Sequence, residues 1–167
     1  MTYSAFSGFE HITSGSLAEV YGTSSQVPDC LIFDRETGRV VDVDPRFPPK
    51  EDGPRPGRPK LGVTPREVTL LPRHWDWLAT QPGGASVALR RLVDEARKAS
   101  GAKDERRARQ EAAYRFITAM AGNETHYEEA TRALFAGDAG RFEAATADWP
   151  RDVRLQAERF AAAVFSI

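Results

Sequence analysis

The chain has 167 residues, 41% of them hydrophobic and 28% charged, with a mean hydropathy of -0.48. That is the composition of one ordinary globular domain or two small ones, long enough to bury roughly two thirds of its unfolded surface, and its apolar runs are too short to cross a bilayer. The net charge of -1 hides an uneven spread: residues 1–45 carry 2 basic and 7 acidic groups, residues 46–115 carry 16 and 9, and residues 116–167 carry 5 and 8. A basic middle between acidic flanks predicts an anionic partner at the centre, because the local field governs encounter with a polyanion. The competing expectation is that stretches such as KDERRARQE only solvate an exposed helix face.

The opening MTYSAFSGFEH has no basic region followed by an apolar stretch, so no secretory signal is expected. One cysteine, Cys30, cannot form an internal disulfide, and with three scattered histidines it cannot form a standard zinc site. A reducing, cytoplasmic location follows as the expectation.

Residues 1–44 read as a small α/β module. Residues 3–9 show strand-like alternation of Tyr3, Ala5 and, after a shift, Phe9. Ser16-Leu-Ala-Glu19 has the spacing of a capping box and opens a short helix expected to stop near Gly22. Cys30-Leu-Ile-Phe33 and Arg39-Val-Val-Asp-Val43, joined by Asp34-Arg-Glu-Thr-Gly38, predict a β-hairpin whose glycine can take positive φ. Cys30 then reads as a small core residue, with no neighbouring base to activate it.

Of the 11 prolines, 8 fall between Pro45 and Pro72. Residues 45–65 therefore read as a basic, semi-extended linker. Residues 66–100 read as strand, helix, turn, helix. Arg66-Glu-Val-Thr-Leu-Leu71 favours a strand; Pro72 starts a helix with Trp75 and Leu78; Gln81-Pro-Gly-Gly84 breaks it; Ser86 begins a second helix with an apolar stripe of Ala88, Leu89, Leu92, Val93 and Ala96. A lone strand leaves its backbone groups unpaired, so this segment is predicted to need a partner.

Residues 101–167 read as a module of short helices. One covers 103–121 with Tyr114, Ile117 and Ala121, ending at Gly122. Asn123 is the expected cap of a second helix through Phe135, Asp138 of a third through Ala147, and Pro150 suits the first turn of a fourth, which stacks Val153, Ala157, Phe160, Ala161 and Val164. Phe142, Trp149 and Phe165 are expected to fill the core between them, and His126 and Tyr127 are read as structural. The fold class is thus α+β and mostly helical.

The Leu71-Pro72 junction, the turn Gly83-Gly84 and the run Ser86-Val-Ala-Leu-Arg-Arg-Leu-Val93 resemble the ribbon-helix-helix family. That resemblance implies a homodimer through residues 66–98, with two strands paired into a ribbon that enters the DNA major groove. It also implies a phosphate held at the start of the second helix, by Gly84, Ala85 and Ser86. If Leu71 points inward, Arg66, Val68 and Leu70 face the groove; in the other register Val68 and Leu70 are buried and Glu67 and Thr69 face out. Arg66 and Thr69 are the candidates for base edges, and Arg73 with Gly84 and Ser86 for phosphates. Pro56-Gly57-Arg58-Pro59-Lys60 resembles a minor-groove hook without its first arginine, making Arg58 and Lys60 candidates for the minor groove or backbone. Taken whole, TLLPRHWDWLATQPGGASVALRRLVDEAR with RALFAGDAGRF and ADWPRDV also resembles an uncharacterised bacterial family, domain of unknown function 2239, which implies no activity.

No phosphate-cradling, dinucleotide, nucleophile-elbow or zincin motif is present in the sequence. His74, between Arg73 and Trp75, has no acid fixed beside it, since Asp76 points to another helix face. The pairs Asp42/Asp44 and Glu128/Glu129 lack the further ligands a metal needs. The expectation is a regulator binding duplex DNA, without cofactor, metal or enzymatic activity, the alternative being a dimeric assembly module that binds no DNA.

Overall fold

The computed structural model describes residues 2–44, 46, 48, 49 and 66–166. It divides into two compact units, one of Met1–Gly53 with Ala102–Ile167, the other of Pro54–Gly101.

The first unit begins with a four-stranded antiparallel sheet of order β2-β1-β3-β4, made of β1 (Tyr3–Ser7), β2 (Glu10–Gly15), β3 (Cys30–Asp34) and β4 (Val40–Val41). The expected hairpin is β3 and β4, which pair through Ile32 with Val41 and Phe33 with Val40. Strand β2 was not legible in the sequence. It pairs with β1 with a register shift between Ala5 and Phe6, and the backbone N–H of His11 donates to the Asp152 carboxylate at 3.0 Å. Helix α1 (Leu17–Ser24) opens with the expected capping box, Ser16 and Glu19 each closing on the other's backbone N–H. It runs past Gly22 to Ser24. The Ser16 backbone N–H, and after it the Ser16 hydroxyl, hold the Glu19 carboxyl below the usual range. This support is present above the unfolded pKa and lost as pH falls through the lower folded one.

The sheet separates two hydrophobic clusters. Ala5 and Ile32 pack with Val20 of α1, while Phe6 and Phe33 join the helices of the carboxyl-terminal half. The segments read from sequence as amino- and carboxyl-terminal modules therefore share one core. Its helical side is the last third of α3 (Gly84–Ala121), α4 (Tyr127–Ala136), α5 (Ala139–Thr146) and α6 (Arg151–Phe165). Phe116 sits at its centre, with ring centroids 5.6 Å from Phe6, 5.1 Å from Phe33 and 5.3 Å from Phe160. The expected α6 stripe of Val153, Ala157, Phe160, Ala161 and Val164 is buried. So are Phe142 and Trp149, with Phe165 packed against them. The indole N–H of Trp149 donates to the carbonyl of Thr125 at 2.9 Å.

Asp138 caps α5 as expected, accepting from the Arg141 N–H at 3.0 Å. Asn123 does not cap α4. A backbone turn occupies residues 121–127, His126 takes left-handed φ, and α4 starts at Tyr127. Tyr114 is exposed and meets Phe135 in a tilted ring contact, centroids 5.7 Å apart. The two helices expected on either side of Gly101 are one helix of 38 residues. A mid-helix glycine costs only about 1 kcal/mol, less than starting a new helix.

The β3–β4 turn lies on α3 at Gly38, where φ is +66° and an added Cβ would stand 2.0 Å from the Ala112 carbonyl oxygen. Gly8 has φ +54° with open space around it. Urea unfolding should therefore show Gly38→Ala destabilised by about 3–4 kcal/mol, from the left-handed penalty plus overpacking, and Gly8→Ala by about 1–2 kcal/mol, the left-handed penalty alone. Equal losses would mean that the turn does not rest on α3.

Candidate functional site

The second unit is a helical hairpin preceded by an irregular segment. Residues 66–71, expected as a strand, belong to no strand among the described residues. Leu71 has extended backbone and stands at the N-cap of α2 (Pro72–Ala79) with no side-chain acceptor, while Pro72 occupies the first turn, where a missing N–H costs nothing. Thr80 ends α2, its hydroxyl donating to the carbonyl of Trp77 at 2.7 Å. Gly83 and Gly84 both take left-handed φ, +81° and +77°, and the Gly84 N–H donates to the Gln81 carbonyl at 3.1 Å. Helix α3 then starts at Gly84. Its preceding residue, Gly83, has no side chain to cap the first turn, so the following N–H groups rely on water or a ligand.

Only two hydrophobic side chains of this hairpin are buried, Leu78 and Ala88, each 2% exposed. Around them lies an open apolar hollow of about 270 Å³ lined by Leu70, His74, Trp77, Leu78, Leu89 and Leu92. Val68, Leu71, Trp75, Val87 and Val93 add further exposed apolar surface. The stripe expected on the second helix is thus present, but from Leu92 onward it faces solvent. Two tryptophans of an eight-residue helix, Trp75 and Trp77, are 42% and 48% exposed.

Of the residues singled out in the sequence, Arg58 and Lys60 lie outside the described residues. Arg66 and Thr69 are exposed on the segment before α2, Arg73 is exposed in the first turn of α2, and Gly84 and Ser86 are exposed at the start of α3. Leu70 lines the hollow while Leu71 is 49% exposed. Arg66, Glu67, Val68 and Thr69 are all exposed, so neither expected register is set in this segment. Sequence reasoning missed Arg90, whose Nε donates to the Ser86 carbonyl at 3.1 Å and so keeps a guanidinium beside the first turn of α3. Its i, i+4 spacing from Ser86 was the available signal. His74 is exposed on the rim of the hollow. Among the described residues no group of three or more His, Cys, Asp or Glu is placed to hold a metal ion, and no helix is long and apolar enough to cross a membrane.

A family model described as an uncharacterized protein conserved in bacteria, DUF2239, matches residues 47–161. No curated protein and no solved structure matches the chain.

An added Cβ at Gly83 would meet the Val87 side chain at 3.2–3.3 Å in a left-handed conformation. Gly83→Ala should weaken the hairpin by about 1–2 kcal/mol, seen as roughly tenfold faster amide exchange across α2. Unchanged exchange would show that the turn does not hold the two helices together.

Proposed function

We propose that this protein, which belongs to the bacterial family DUF2239, is a homodimer joined through residues 66–98 in the ribbon-helix-helix manner, and that the dimer binds duplex DNA as a regulator. The observation that carries the reading is the exposed apolar surface of the hairpin, with Trp75, Trp77, Leu92 and Val93 open while only Leu78 and Ala88 are covered. Each large side chain buried at an interface contributes up to about 2–3 kcal/mol before ordering costs. A second copy also supplies a partner strand for residues 66–71, which pair with no strand among the described residues, since two such segments pair their backbone groups with each other.

DNA enters through charge and helix geometry. The start of α3 offers backbone N–H groups to a phosphate, and Arg73 and Arg90 stand exposed on the same hairpin. A second reading is favoured by one observation: with Leu70 turned to the hollow, the outward side of a ribbon presents Glu67 beside Thr69, and a carboxylate repels phosphates. In that reading the dimer is an assembly module without DNA.

Sedimentation equilibrium should give a dimer at micromolar concentration, and Leu92→Asp, which changes an exposed residue, should dissociate it. Fluorescence anisotropy with duplex DNA should show affinity falling steeply between 50 and 200 mM salt, on the scale of about 10³-fold for six or more phosphate contacts. Arg73→Ala should reduce the salt slope by about 2 per dimer. A dimer that ignores DNA at low salt establishes the assembly reading, and a monomer defeats both.

A further inference from the structure

The first unit carries a charged trench that the hairpin reading does not use. Its rim is the β3–β4 turn, which is tied by hydrogen bonds within itself and to α3. The Asp34 carboxylate accepts from the N–H groups of Glu36 at 2.7 Å and Thr37 at 3.1 Å. The Gly38 N–H donates to the Asp34 carbonyl at 2.8 Å, and the Asp34 N–H to the Arg39 carbonyl at 2.9 Å. From α3, Arg115 donates Nη1 to the Thr37 carbonyl at 3.0 Å, and Gly38 rests on the Ala112 carbonyl. A loop fixed on both sides holds the side chains at its two ends in place, which is how rigid scaffolds present binding groups.

Those ends are Arg35 and Arg39. A hollow of about 430 Å³ between the turn and α3 is lined by Arg39, Arg109 and Arg115 together with Glu36, Glu105 and Glu111. A second hollow, of about 490 Å³, shares Glu36 and Arg109 and continues to Arg35. Two of these arginines already have carboxylates: Arg115 pairs with Glu111 at 2.7 Å and Arg109 with Glu105 at 3.5 Å. Among the described residues neither Arg35 nor Arg39 has a carboxylate within 4.0 Å. Two uncommitted guanidinium groups thus stand at the ends of a rigid turn, with the loosely paired Arg109 lining both hollows between them.

We propose that this trench binds a small phosphorylated polyol. The uncommitted guanidinium forks suit the paired oxygens of a phosphate, which carries the charge they lack. The carboxylates of Glu36, Glu105 and Glu111, which line the first hollow, accept hydrogen bonds from hydroxyl groups of the ligand. Among the described residues no aromatic ring lines either hollow, so a nucleobase finds no stacking surface there, while Thr37, Ala108 and the methylene stems of the arginines give a carbon backbone something to lie against. The volume lies in the range of ordinary small-molecule sites. This site is independent of the dimer and of DNA.

Isothermal titration of the full chain with ribose 5-phosphate tests the assignment, with ribose and inorganic phosphate as comparisons at constant ionic strength. Ribose 5-phosphate should bind at least tenfold more tightly than either, and Arg39→Ala and Arg35→Ala should each weaken it at least tenfold. Neither arginine side chain forms an ion pair with a described residue, and unchanged circular dichroism and thermal midpoint would confirm that the variants fold. Absence of binding at millimolar ligand overturns the proposal, as does binding that both variants leave intact. Equal affinity for inorganic phosphate and ribose 5-phosphate overturns the polyol assignment.

Discussion

The first unit depends on one aromatic junction. Phe116 is fully buried and touches Phe6 and Phe33 of the sheet and Phe160 of α6. Rings of this size remove 150–250 Å² each from water and lock in edge or tilted geometries, so they fix orientation as well as contact. Three segments distant in sequence are set in this way around a single side chain of α3. Once Phe33 is fixed, the chain leaving β3 must turn directly over α3, and only a residue without Cβ fits at Gly38. The charged trench follows from that same close approach, because the turn that carries Arg35 and Arg39 is brought against the helix that carries Arg109 and Arg115.

The second unit has no comparable centre. Leu78 and Ala88 are its only buried hydrophobic side chains among the described residues, and burying one leucine and one alanine yields only about 2–3 kcal/mol. Ordering a residue's backbone costs about 1–2 kcal/mol, so a hairpin of this length is not offset by that contact alone. Continuity of α3 supplies part of the difference, since extending an existing helix avoids a new nucleation step. The apolar side chains left in water supply the rest only when something covers them. For that reason the exposed tryptophans of α2 weigh more in the functional reading than any single arginine.

Features written in local chemistry were legible in the sequence. The Ser16/Glu19 box, the Asp138 cap, the Pro72 start, the glycine turn at 83–84 and the α6 stripe each rest on residues within one or two helical turns. Features set by distant contacts were not. In β2 the sequence Glu-His-Ile-Thr-Ser-Gly has one strong hydrophobe, and its strand exists because β1 pairs with it and the Asp152 carboxylate takes the His11 N–H. Asn123 has the chemistry of a cap, yet the buried indole of Trp149 holds the Thr125 carbonyl and the turn closes through backbone groups instead. The boundary expected between residues 100 and 103 is absent because propensity is local, whereas helix continuity is cooperative. In the candidate site, the direction of Leu70 was undecidable because alternation offers two registers, and its place in the hollow comes from contact with α2 and α3, which local spacing does not encode. The trench was invisible for the same reason: its arginines are some seventy residues apart, and nothing in their spacing links them.

The direction of Leu70 also bears on what kind of DNA contact the proposed dimer makes. With Leu70 and Val68 on the covered side of a ribbon, Thr69 is the side chain left to meet base edges, and one hydroxyl accepts or donates to several bases without distinguishing them strongly. Glu67 beside it accepts only from a cytosine amine and otherwise repels the backbone. In the proposed complex Arg73, Arg90 and the start of α3 would address phosphates, which position a protein without reading sequence. Affinity in such a complex is dominated by counterion release and discrimination by the shape and deformability of the duplex. A dimer built on this hairpin is therefore expected to prefer sites by groove geometry, with weak dependence on any single base pair, and that distinguishes it from ribbons whose outward face is lined by side chains with paired donors and acceptors.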